Sequence, residues 1–449
     1  MATKGERDYR PKMHFAPKAG WINDPNGLVK RGDTYHLFAQ YYPNDTVWGP
    51  MHWLHATSED LVRWNEIGVA LEPDELGFIF SGGALVDEAG RAGFGKNALI
   101  VMYASHGECE QQSIAYSTDG INFTKHPGNP VIKNPGLKDF RDPNPFINPV
   151  LNCFSVVIAA GDRVAFYKSN DMVNWERTGE FGKEENRLGT VFECPDLFPL
   201  KAPDGRTVWA LTASMICPPE EGGSRPQYFL GEFDGYTFRQ TEVYDEPVLL
   251  DAGYDNYAPI TFFGTEEPIM LGWGNSWTYA AQEPTGEYCG VMTLARRVSL
   301  KNTKAGLRIA QMPVIQMGKE SPIQSGGALP GDVFALKIKS HGVFSAALYN
   351  KKGERFEFGL NEGGMFFTDR SCSGEMAFND LYNSPLYQHT NAKRLMDGPV
   401  ELLVVFDRSI IEIFADNGLY ANATLMYPTS PYEYLELTGA EAMIMELRD

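Results

Sequence analysis

The chain has 449 residues, 43% of them hydrophobic, and a formal net charge of −19 at pH 7. This length predicts two domains, or one large repeat domain with a smaller second one, because single cores stop growing at about 250–300 residues. The acidic balance excludes nucleic acid as an expected partner, since phosphate binding needs clustered Lys and Arg.

The N-terminal residues, MATKGERDYRPKMHF, lack the apolar segment of a secretory signal. No uninterrupted apolar run in the sequence is long enough to cross a membrane. The six cysteines form no C-x-x-C pair, which argues against a zinc site, and a disulfide scaffold is not expected at this length. We therefore predict a cytoplasmic protein with neither a membrane partner nor a metal.

An acidic turn is the first element that the sequence predicts, and two later stretches repeat its plan. Asp24 stands before Pro-Asn-Gly and a strand-like run, Asp142 before Pro-Asn-Pro, and Glu193 just ahead of Cys-Pro. Such residues form turns because Pro presets φ, while Asn and Gly accept unusual backbone angles. Taken alone, each stretch is therefore more often a plain turn than a catalytic element.

A second pattern repeats through the first half of the chain: an Asp four residues before an aromatic side chain, each time after a strand-like run. Its copies lie at Asp60, Asp119, Asp171 and Asp234. Each copy predicts a tight hairpin turn. A period of about 50 residues built from short strands is typical of a β-propeller blade. The copies predict four blades, and strand-like runs between residues 251 and 300 predict a fifth.

The three acidic stretches fall near the start of a predicted blade in each case. In a propeller the first strand of every blade lines the central channel, so equivalent strand starts meet at one end of the axis. This geometry predicts that Asp24, Asp142 and Glu193 are neighbours, although they are far apart in sequence. It favours a catalytic site over three unrelated turns.

After residue 300 the pattern changes to a stretch with some apolar packing and then to further strands. We predict an all-β fold: a five-bladed β-propeller over residues 1–310, a linker over 311–328, and a C-terminal β-sandwich over 329–449. The predicted sandwich carries no evident catalytic cluster. We expect it to stabilise the propeller or to form the contact of a homodimer.

Several motifs stand in a specific order along nearly the whole chain: Gly20-Trp21-Ile22-Asn23-Asp24-Pro25-Asn26-Gly27, Trp48-Gly49-Pro50-Met51-His52-Trp53, Phe80-Ser81-Gly82, Phe140-Arg141-Asp142-Pro143, Glu193-Cys194-Pro195-Asp196-Leu197-Phe198, Tyr257-Ala258-Pro259 and Phe406-Asp407-Arg408-Ser409. In this order they resemble glycoside hydrolase family 32, the invertases and fructan hydrolases, and especially its bacterial sucrose and sucrose-6-phosphate hydrolases. The family fold is a five-bladed propeller followed by a β-sandwich, which agrees with the prediction from the repeats.

The resemblance implies a role for each candidate residue. Asp24 would be the nucleophile that attacks C2 of a fructosyl unit, and Glu193 would be the general acid and then the general base. Asp142 and Arg141 would hold the fructose hydroxyls, and the rest of the pocket would be Asn23, Gln40, Trp48, Phe80 and Ser81. The implied activity is that of a retaining β-fructofuranosidase. It would cleave terminal fructose from sucrose, sucrose 6-phosphate or short fructo-oligosaccharides through a covalent intermediate, without a cofactor.

Three positions depart from the family pattern: Gly83 where a Ser is expected, Asn256 where an aromatic is common, and Ile260 where a Gln is common. They leave the preferred leaving group open. Two other functions are alternatives. One is fructosyl transfer to a sugar on the same scaffold, and the other is carbohydrate binding by an active site that has lost its catalytic activity. Since all three carboxylates are present, catalysis is favoured over binding alone.

Overall fold

The computed structural model describes residues 7–183 and 187–447, and nearly all of their regular structure is β-sheet. Five antiparallel units follow one another from residue 20 to residue 313. Their strands are β1 (Gly20–Arg31), β2 (Thr34–Tyr42), β3 (His52–Ser58), β4 (Asn65–Leu71), β5 (Phe78–Asp87), β6 (Ala98–His106), β7 (Glu110–Ser117), β8 (Thr124–Lys125), β9 (Arg141–Asn148), β10 (Cys153–Ala159), β11 (Val164–Ser169), β12 (Glu176–Phe181), β13 (Val191–Lys201), β14 (Thr207–Ile216), β15 (Arg225–Phe233), β16 (Phe238–Glu242), β17 (Tyr257–Thr261), β18 (Ile269–Trp273), β19 (Tyr288–Cys289), β20 (Arg296–Thr303) and β21 (Gly306–Pro313). Short 3-10 helices cover Pro219–Glu221 and Ala280–Gln282. None of the helices in the described ranges has the length and apolar character that a membrane span requires.

The first strands of the five units, β1, β5, β9, β13 and β17, contact one another in a closed ring. Each unit extends outward from this ring in chain order, for example from β5 to β8. β19 pairs in parallel with β1 and so joins the last unit to the first. This arrangement is a five-bladed β-propeller, as the sequence repeats predict.

The repeated Asp closes the hairpin between the third and fourth strands of four blades. In the first blade, Oδ1 of Asp60 accepts hydrogen bonds from the backbone N–H groups of Val62 (3.0 Å) and Arg63 (2.8 Å). The same geometry recurs at the other copies, Asp119, Asp171 and Asp234. A side-chain acceptor so close in sequence fixes a turn locally, so the predicted hairpins are confirmed.

The remaining strands of the described chain form two six-stranded sheets. They are β22 (Met317–Ile323), β23 (Gly327–Ala328), β24 (Val333–Ser340), β25 (Phe344–Tyr349), β26 (Arg355–Leu360), β27 (Met365–Cys372), β28 (His389–Lys393), β29 (Val400–Asp407), β30 (Ile410–Ala415), β31 (Tyr420–Leu425), β32 (Tyr434–Thr438) and β33 (Glu441–Leu447), and α1 (Pro385–Gln388) precedes β28. One sheet has the order β22-β33-β24-β29-β30-β31, and the other β23-β32-β25-β26-β27-β28. Apolar side chains from both sheets, such as Leu336 and Phe358, share one buried core. This unit is a β-sandwich.

The stretch predicted to be a linker, residues 311–328, is largely paired. β21 continues to Pro313 at the edge of the fifth blade, and β22 pairs with β33 at one edge of the sandwich. β23 pairs with β32 in the other sheet. The sequence signal for β22 is weak because this edge strand is exposed along most of its length and lacks alternating apolar residues. The passage from blade to sandwich therefore takes only residues 314–316.

Buried charges join the propeller, the sandwich and the N-terminal segment. Arg296 of β20 donates to Asp251 (2.7 Å) and to Glu412 of β30 (3.0 Å). His14 has its ring nitrogens 2.9 Å from Asp407 and 3.3 Å from Glu412. All five side chains are buried. Since a buried charge is costly unless it is paired, separating the two units would leave these groups uncompensated.

Candidate active site

The innermost strand of every blade carries a β-bulge at an equivalent position. Two residues of that strand face one residue of the second strand at 23–24, 80–81, 142–143, 194–195 and 258–259. A bulge interrupts the pairing and re-aims side chains. Four of the five bulges place side chains, at or next to the bulge, in the wall of one cavity.

This cavity has a volume of about 330 Å³ and contains all nine residues that the sequence analysis selects. They are Asn23, Asp24, Gln40, Trp48, Phe80, Ser81, Arg141, Asp142 and Glu193, and they are joined there by Glu110 and Trp277. The volume lies at the small end of the usual range for ligand pockets, about 300–1,000 Å³. The structure thus brings the nine residues together, while their individual roles stay predictions.

The three acidic stretches are bulged strands and not the turns that their composition predicts. Asp24 lies inside β1, Asp142 inside β9 and Glu193 inside β13. Residues that favour turns also suit a bulge, because both need backbone angles outside the regular strand. Asp142 and Cys194 accordingly have φ angles of +58° and +44°.

Asp24 is held through one carboxylate oxygen. Its Oδ2 accepts a hydrogen bond from Ser81 Oγ at 2.7 Å and faces Cys194 Sγ at 3.4 Å. Its Oδ1 is buried and has no hydrogen-bond partner among the described residues. The carboxylate is therefore held through one oxygen, and the other oxygen is left unpaired by the described chain.

Cys194 links Asp24 to Asp142. The backbone N–H of Cys194 donates to Asp142 Oδ2 at 2.9 Å, and its Sγ lies 3.6 Å from the same oxygen. Burial raises the pKa of the Cys194 thiol well above its usual value, and the surrounding carboxylates raise it further. The group is therefore a neutral thiol that separates two carboxylates without adding charge.

Glu193 is bound at both of its carboxylate oxygens. Arg141 donates to Oε1 from Nη2 at 3.1 Å, and the phenol of Tyr257 donates to Oε2. Burial raises the pKa of Glu193, Arg141 and Tyr257 oppose that rise, and the negative charge of Asp24 adds to it. The balance is a raised pKa, which suits a carboxyl group that has to donate a proton.

Arg141 is fixed by further carboxylates. Its Nη1 donates to Asp139 at 2.7 Å and to both oxygens of Glu110 at 3.1 Å. Glu110 also accepts the backbone N–H of Phe140 at 2.7 Å, so it positions the strand as well as the side chain. The Arg141 guanidinium is therefore a fixed cation among several acids, which rules out the solvated surface ion pair as its role.

Aromatic side chains form the rim of the cavity. Trp48 and Trp277 are 44% and 39% exposed, so neither belongs to the core. Trp277 packs on Trp21 and Trp273, with ring centroids 5.9 and 5.0 Å away. An exposed aromatic face beside carboxylates suits a ligand that has one apolar and one polar side, such as a sugar.

The other predicted pocket residues are oriented by close neighbours. Trp21 Nε1 donates to Asn23 Oδ1 at 2.8 Å, and Gln40 Nε2 donates to the backbone oxygen of Ile79 at 2.9 Å. The Phe80 ring stacks on His106 with centroids 4.1 Å apart. These contacts preorganise the wall of the cavity before a ligand arrives.

Four functional neighbours have no role in the sequence analysis. Cys194 follows Glu193 directly, and Tyr257 is the first residue of the Tyr-Ala-Pro motif. The sequence could therefore have indicated both. Glu110 and Trp277 belong to no motif and reach the cavity only through the fold. In the described ranges, no group of three or more His, Cys, Asp or Glu side chains has the arrangement of a metal site.

The three departures from the family pattern lie outside the cavity wall. Asn256 is buried and donates to Asp251 at 3.1 Å, and Ile260 is part of the propeller core. Gly83 faces Asn144 of the neighbouring blade. These positions therefore shape the packing of the blades, and the cavity itself keeps the predicted residues.

Known proteins are similar to this chain in sequence and in fold. Residues 14–313 match the glycosyl hydrolases family 32 N-terminal domain, and residues 344–444 match the family's C-terminal domain. The chain is 36% identical over 471 residues to a levanase of Bacillus subtilis, with 97% of this chain and 69% of the relative covered. It is 32% identical over 518 residues to an extracellular exo-inulinase of Aspergillus ficuum, with 99% and 94% covered. The crystal structure of an exo-inulinase from Aspergillus awamori is 29% identical, with a TM-score of 0.89 and complete coverage of both chains.

The two family matches fall on the propeller and on the sandwich. The predicted fold, a five-bladed β-propeller followed by a β-sandwich, is confirmed by the sheet order and by these neighbours. The predicted resemblance is confirmed as well: the chain belongs to family 32 of the glycosyl hydrolases.

Proposed function

We propose that this chain is an exo-acting β-fructofuranosidase that removes terminal fructosyl units from neutral fructans and sucrose. Membership of family 32 makes it a fructosyl hydrolase. The observation that carries the proposal is Asp24, which is oriented through Oδ2 while its buried Oδ1 has no partner among the described residues. A small cavity beside it, walled by residues from every blade, suits the end of a chain better than its middle.

Membership of the family, with Asp24 and Glu193 in one cavity, supports a two-step retaining mechanism. Asp24 attacks C2 of the fructosyl unit while Glu193 donates its proton to the leaving oxygen, which gives a covalent fructosyl-enzyme and a free alcohol. Glu193 then takes a proton from water, whose oxygen attacks C2 and releases the Asp24 carboxylate. The raised pKa of Glu193 favours the protonated form that the first step needs. Asp142 accepts hydrogen bonds from the fructose hydroxyls, and Arg141 holds Glu193 in place.

The charge of the cavity argues against a phosphorylated substrate. Among the described residues that line it, four are acidic and Arg141 is the one basic residue. That guanidinium is already paired with Glu110 and Glu193. A phosphate would therefore meet negative charge without a free cation. We expect sucrose 6-phosphate to be cleaved at least about tenfold less efficiently than sucrose, measured as kcat/KM, and equal efficiencies would contradict the neutral-substrate proposal.

Sugar release from levan, inulin, a kestose and sucrose tests the function, with glucose and fructose quantified separately. An exo hydrolase releases free fructose from the first measurable time, and equal glucose and fructose from sucrose. Glucose in excess of fructose would mean transfer to a sugar, and release of oligosaccharides from levan would mean internal cleavage. The Asp24→Asn variant is the control for contaminating activity. Sugar binding without any release by the unmodified chain would support the carbohydrate-binding alternative.

The homodimer through the sandwich, the domain limits and the cytoplasmic location stay predictions. For the dimer, β22 is an exposed edge strand whose free backbone groups offer a pairing surface. Light scattering coupled to size-exclusion chromatography measures the mass directly. A mass of 50.1 kDa, that of one chain, would contradict the dimer.

A further inference from the structure

A second cavity, of about 220 Å³, lies where the propeller meets the sandwich. Its wall combines β15 and β21 of the last two blades with β27, β28 and β31 of the sandwich, and it shares no residue with the active-site cavity. Arg225, Arg308 and Lys393 contribute the positive charges of this wall. We call it the junction cavity.

Arg225 differs from the two other arginines at the same junction. Arg296 and Arg370 each donate to a buried carboxylate at 2.7 Å, those of Asp251 and Asp255. Arg225 donates through Nη2 to three backbone oxygens, at 3.2, 2.9 and 3.1 Å, and within the described ranges it forms no ion pair. Its Nε has no hydrogen-bond partner there either. Arg225 thus lies over the Tyr254 ring at 4.9 Å and has no carboxylate in direct contact among the described residues.

The electrostatics agree with this difference. Burial lowers the pKa of Arg225, and the nearby groups do not offset the loss of solvent. Burial acts in the same direction on the pKa of Arg296 and Arg370, but their partners outweigh it and raise both. An anion at the junction cavity would give Arg225 the counter-charge that the two other arginines have within the protein.

The two remaining cations of the wall are also without carboxylate partners in the described part of the chain. Arg308 donates to the backbone oxygen of Leu307 at 2.9 Å and lies over the Tyr244 ring at 3.8 Å. Lys393 is exposed at the end of β28. The acidic residue of the wall, Asp416, has both oxygens taken by Arg394, at 2.8 and 2.9 Å. The junction cavity is therefore a positive site in a chain of net charge −19.

The rest of the wall suits the body of a small polar molecule. Tyr228, Phe366 and Tyr420 line the cavity with aromatic groups, and Thr390 and Asn391 add polar groups. Arginine guanidinium groups bind phosphate oxygens through two parallel hydrogen bonds, and lysine adds a point charge. We propose that the junction cavity binds a phosphorylated sugar, with the phosphate between Arg225, Arg308 and Lys393 and the sugar ring against the aromatic wall.

Such a ligand contacts both units at once and so stabilises their junction. A molecule that binds the folded state alone raises its stability, and the gain grows with the logarithm of the ligand concentration once this exceeds Kd. The site is separate from the cavity that carries the proposed hydrolase activity. If the junction cavity binds no phosphorylated sugar, the proposed hydrolase activity is unaffected. The two proposals can therefore be tested separately.

Isothermal titration of the full chain with glucose 6-phosphate tests the site, with ionic strength held constant by NaCl. The cavity variant is Arg308→Gln/Lys393→Gln, which leaves the more deeply placed Arg225 intact. The control variant, Lys133→Gln/Lys319→Gln, removes the same charge from exposed positions outside the cavity. Inorganic phosphate and glucose are titrated separately as the two halves of the ligand.

We expect one saturable site in the unmodified chain and in the control variant, and at least tenfold weaker binding in the cavity variant. Glucose alone should show no difference between the variants. Equal binding of glucose 6-phosphate to both variants, or no saturable binding below about 1 mM in the unmodified chain, would overturn the proposal. Inorganic phosphate that binds as tightly as glucose 6-phosphate would overturn the assignment of the sugar ring. Sucrose hydrolysis by both variants shows that the fold is intact.

Discussion

Glu193 shares its two carboxylate oxygens between donors of different kinds. Arg141 contributes a permanent cation at Oε1, and Tyr257 contributes a neutral hydroxyl at Oε2. Burial raises the pKa of the Tyr257 phenol well above its usual value, so this hydroxyl keeps its proton through the working pH range. Tyr257 therefore always stabilises the ionised form of Glu193 and holds its pKa down against the effect of burial.

Tyr257→Phe should move the alkaline limb of the kcat/KM profile to higher pH, because the loss of the donor raises the pKa of Glu193. A hydrogen bond to a charged group is worth about 1.5–3 kcal/mol, which corresponds to a shift of about one pH unit or more. Tyr103→Phe is the matched control, since the buried Tyr103 hydroxyl has no partner among the described residues. A fall in activity that is equal at every pH would contradict this positioning role.

Glu193→Gln tests the acid itself. The amide cannot donate the proton that a sugar leaving group needs, so hydrolysis of sucrose should fall by about 10²–10⁴-fold. The leaving group of an aryl fructoside needs little protonation. The rate of the first step with this substrate should therefore fall much less. Single-turnover rates for the two substrates measure the difference. Equal losses for both would show that Glu193 acts in some other way.

The residue pattern alone predicted the three carboxylates, and the resemblance to the family predicted the other six residues of the cavity wall. Neither signal predicted Glu110 or Trp277. Glu110 follows an ordinary polar stretch, and Trp277 lies in an irregular segment between β18 and β19. Their function depends on contacts with Arg141 and with two other tryptophans, and such contacts exist only after the blades have closed.

The repeated bulge explains how the elements assemble the site. Arg141, Glu193 and Tyr257 each stand directly before the bulge of their own blade, so they occupy equivalent positions on three successive blades. Adjacent blades place these positions within hydrogen-bond distance, which gives the chain of contacts from Arg141 through Glu193 to Tyr257. The sequence predicted that the three acidic stretches meet. Their composition indicated turns and not bulges, because turns and bulges use the same residue types.

Packing between blades restricts which side chains the innermost strands can carry. Gly83 of β5 is an example. A Cβ at this position would overlap Oδ1 of Asn144 and lie 2.8 Å from Cδ of Pro145. The Asn144 side chain cannot move away freely, because its Nδ2 donates to Asp196 at 3.0 Å. The serine that the family pattern leads one to expect would therefore not fit beside this asparagine.

Gly83→Ala should lower the melting temperature, with a loss of stability of about 1–3 kcal/mol from overpacking. Gly342→Ala is the matched control, since a Cβ there meets nothing within 4 Å and its φ is not in the left-handed region. The control should be neutral or slightly stabilising, because alanine restricts the unfolded chain. Equal melting temperatures for the two variants would contradict the steric account.

At the scale of the whole molecule, periodicity predicted the number of blades and the sandwich, since both rest on strand alternation and local turns. It did not predict how the two units are held together. The junction depends on charged residues that are remote in sequence, such as His14, Arg296 and Glu412. From the sequence alone, a single charged residue is expected at the surface. Its burial is known only from the structure.

His14 gives this junction a pH dependence. Burial alone lowers the pKa of His14, but hydrogen bonds and charge from Asp407 and Glu412 outweigh it and raise that pKa to about 9. Arg296 and Asp251 extend the same network on the propeller side. The folded protein therefore binds a proton at His14 that the unfolded chain, with an ordinary histidine pKa near 6.5, releases sooner.

A raised folded-state pKa gives stability that is complete below about pH 6.5 and is lost as the pH rises through about 9. His14→Gln should therefore be less stable than the unmodified chain at pH 6.5, by roughly 3 kcal/mol for the linked proton. That deficit should shrink toward pH 9, where the unmodified chain has lost the contribution. The difference in melting temperature between the two proteins, measured across this range, cancels the titration of groups remote from His14 and so reports the contribution of its network. The control variant His341→Gln, at an exposed position, should leave the pH dependence unchanged. A loss of stability in His14→Gln that is the same at pH 6.5 and pH 9 would contradict the prediction. It would show that His14 joins the two units by packing and not by charge.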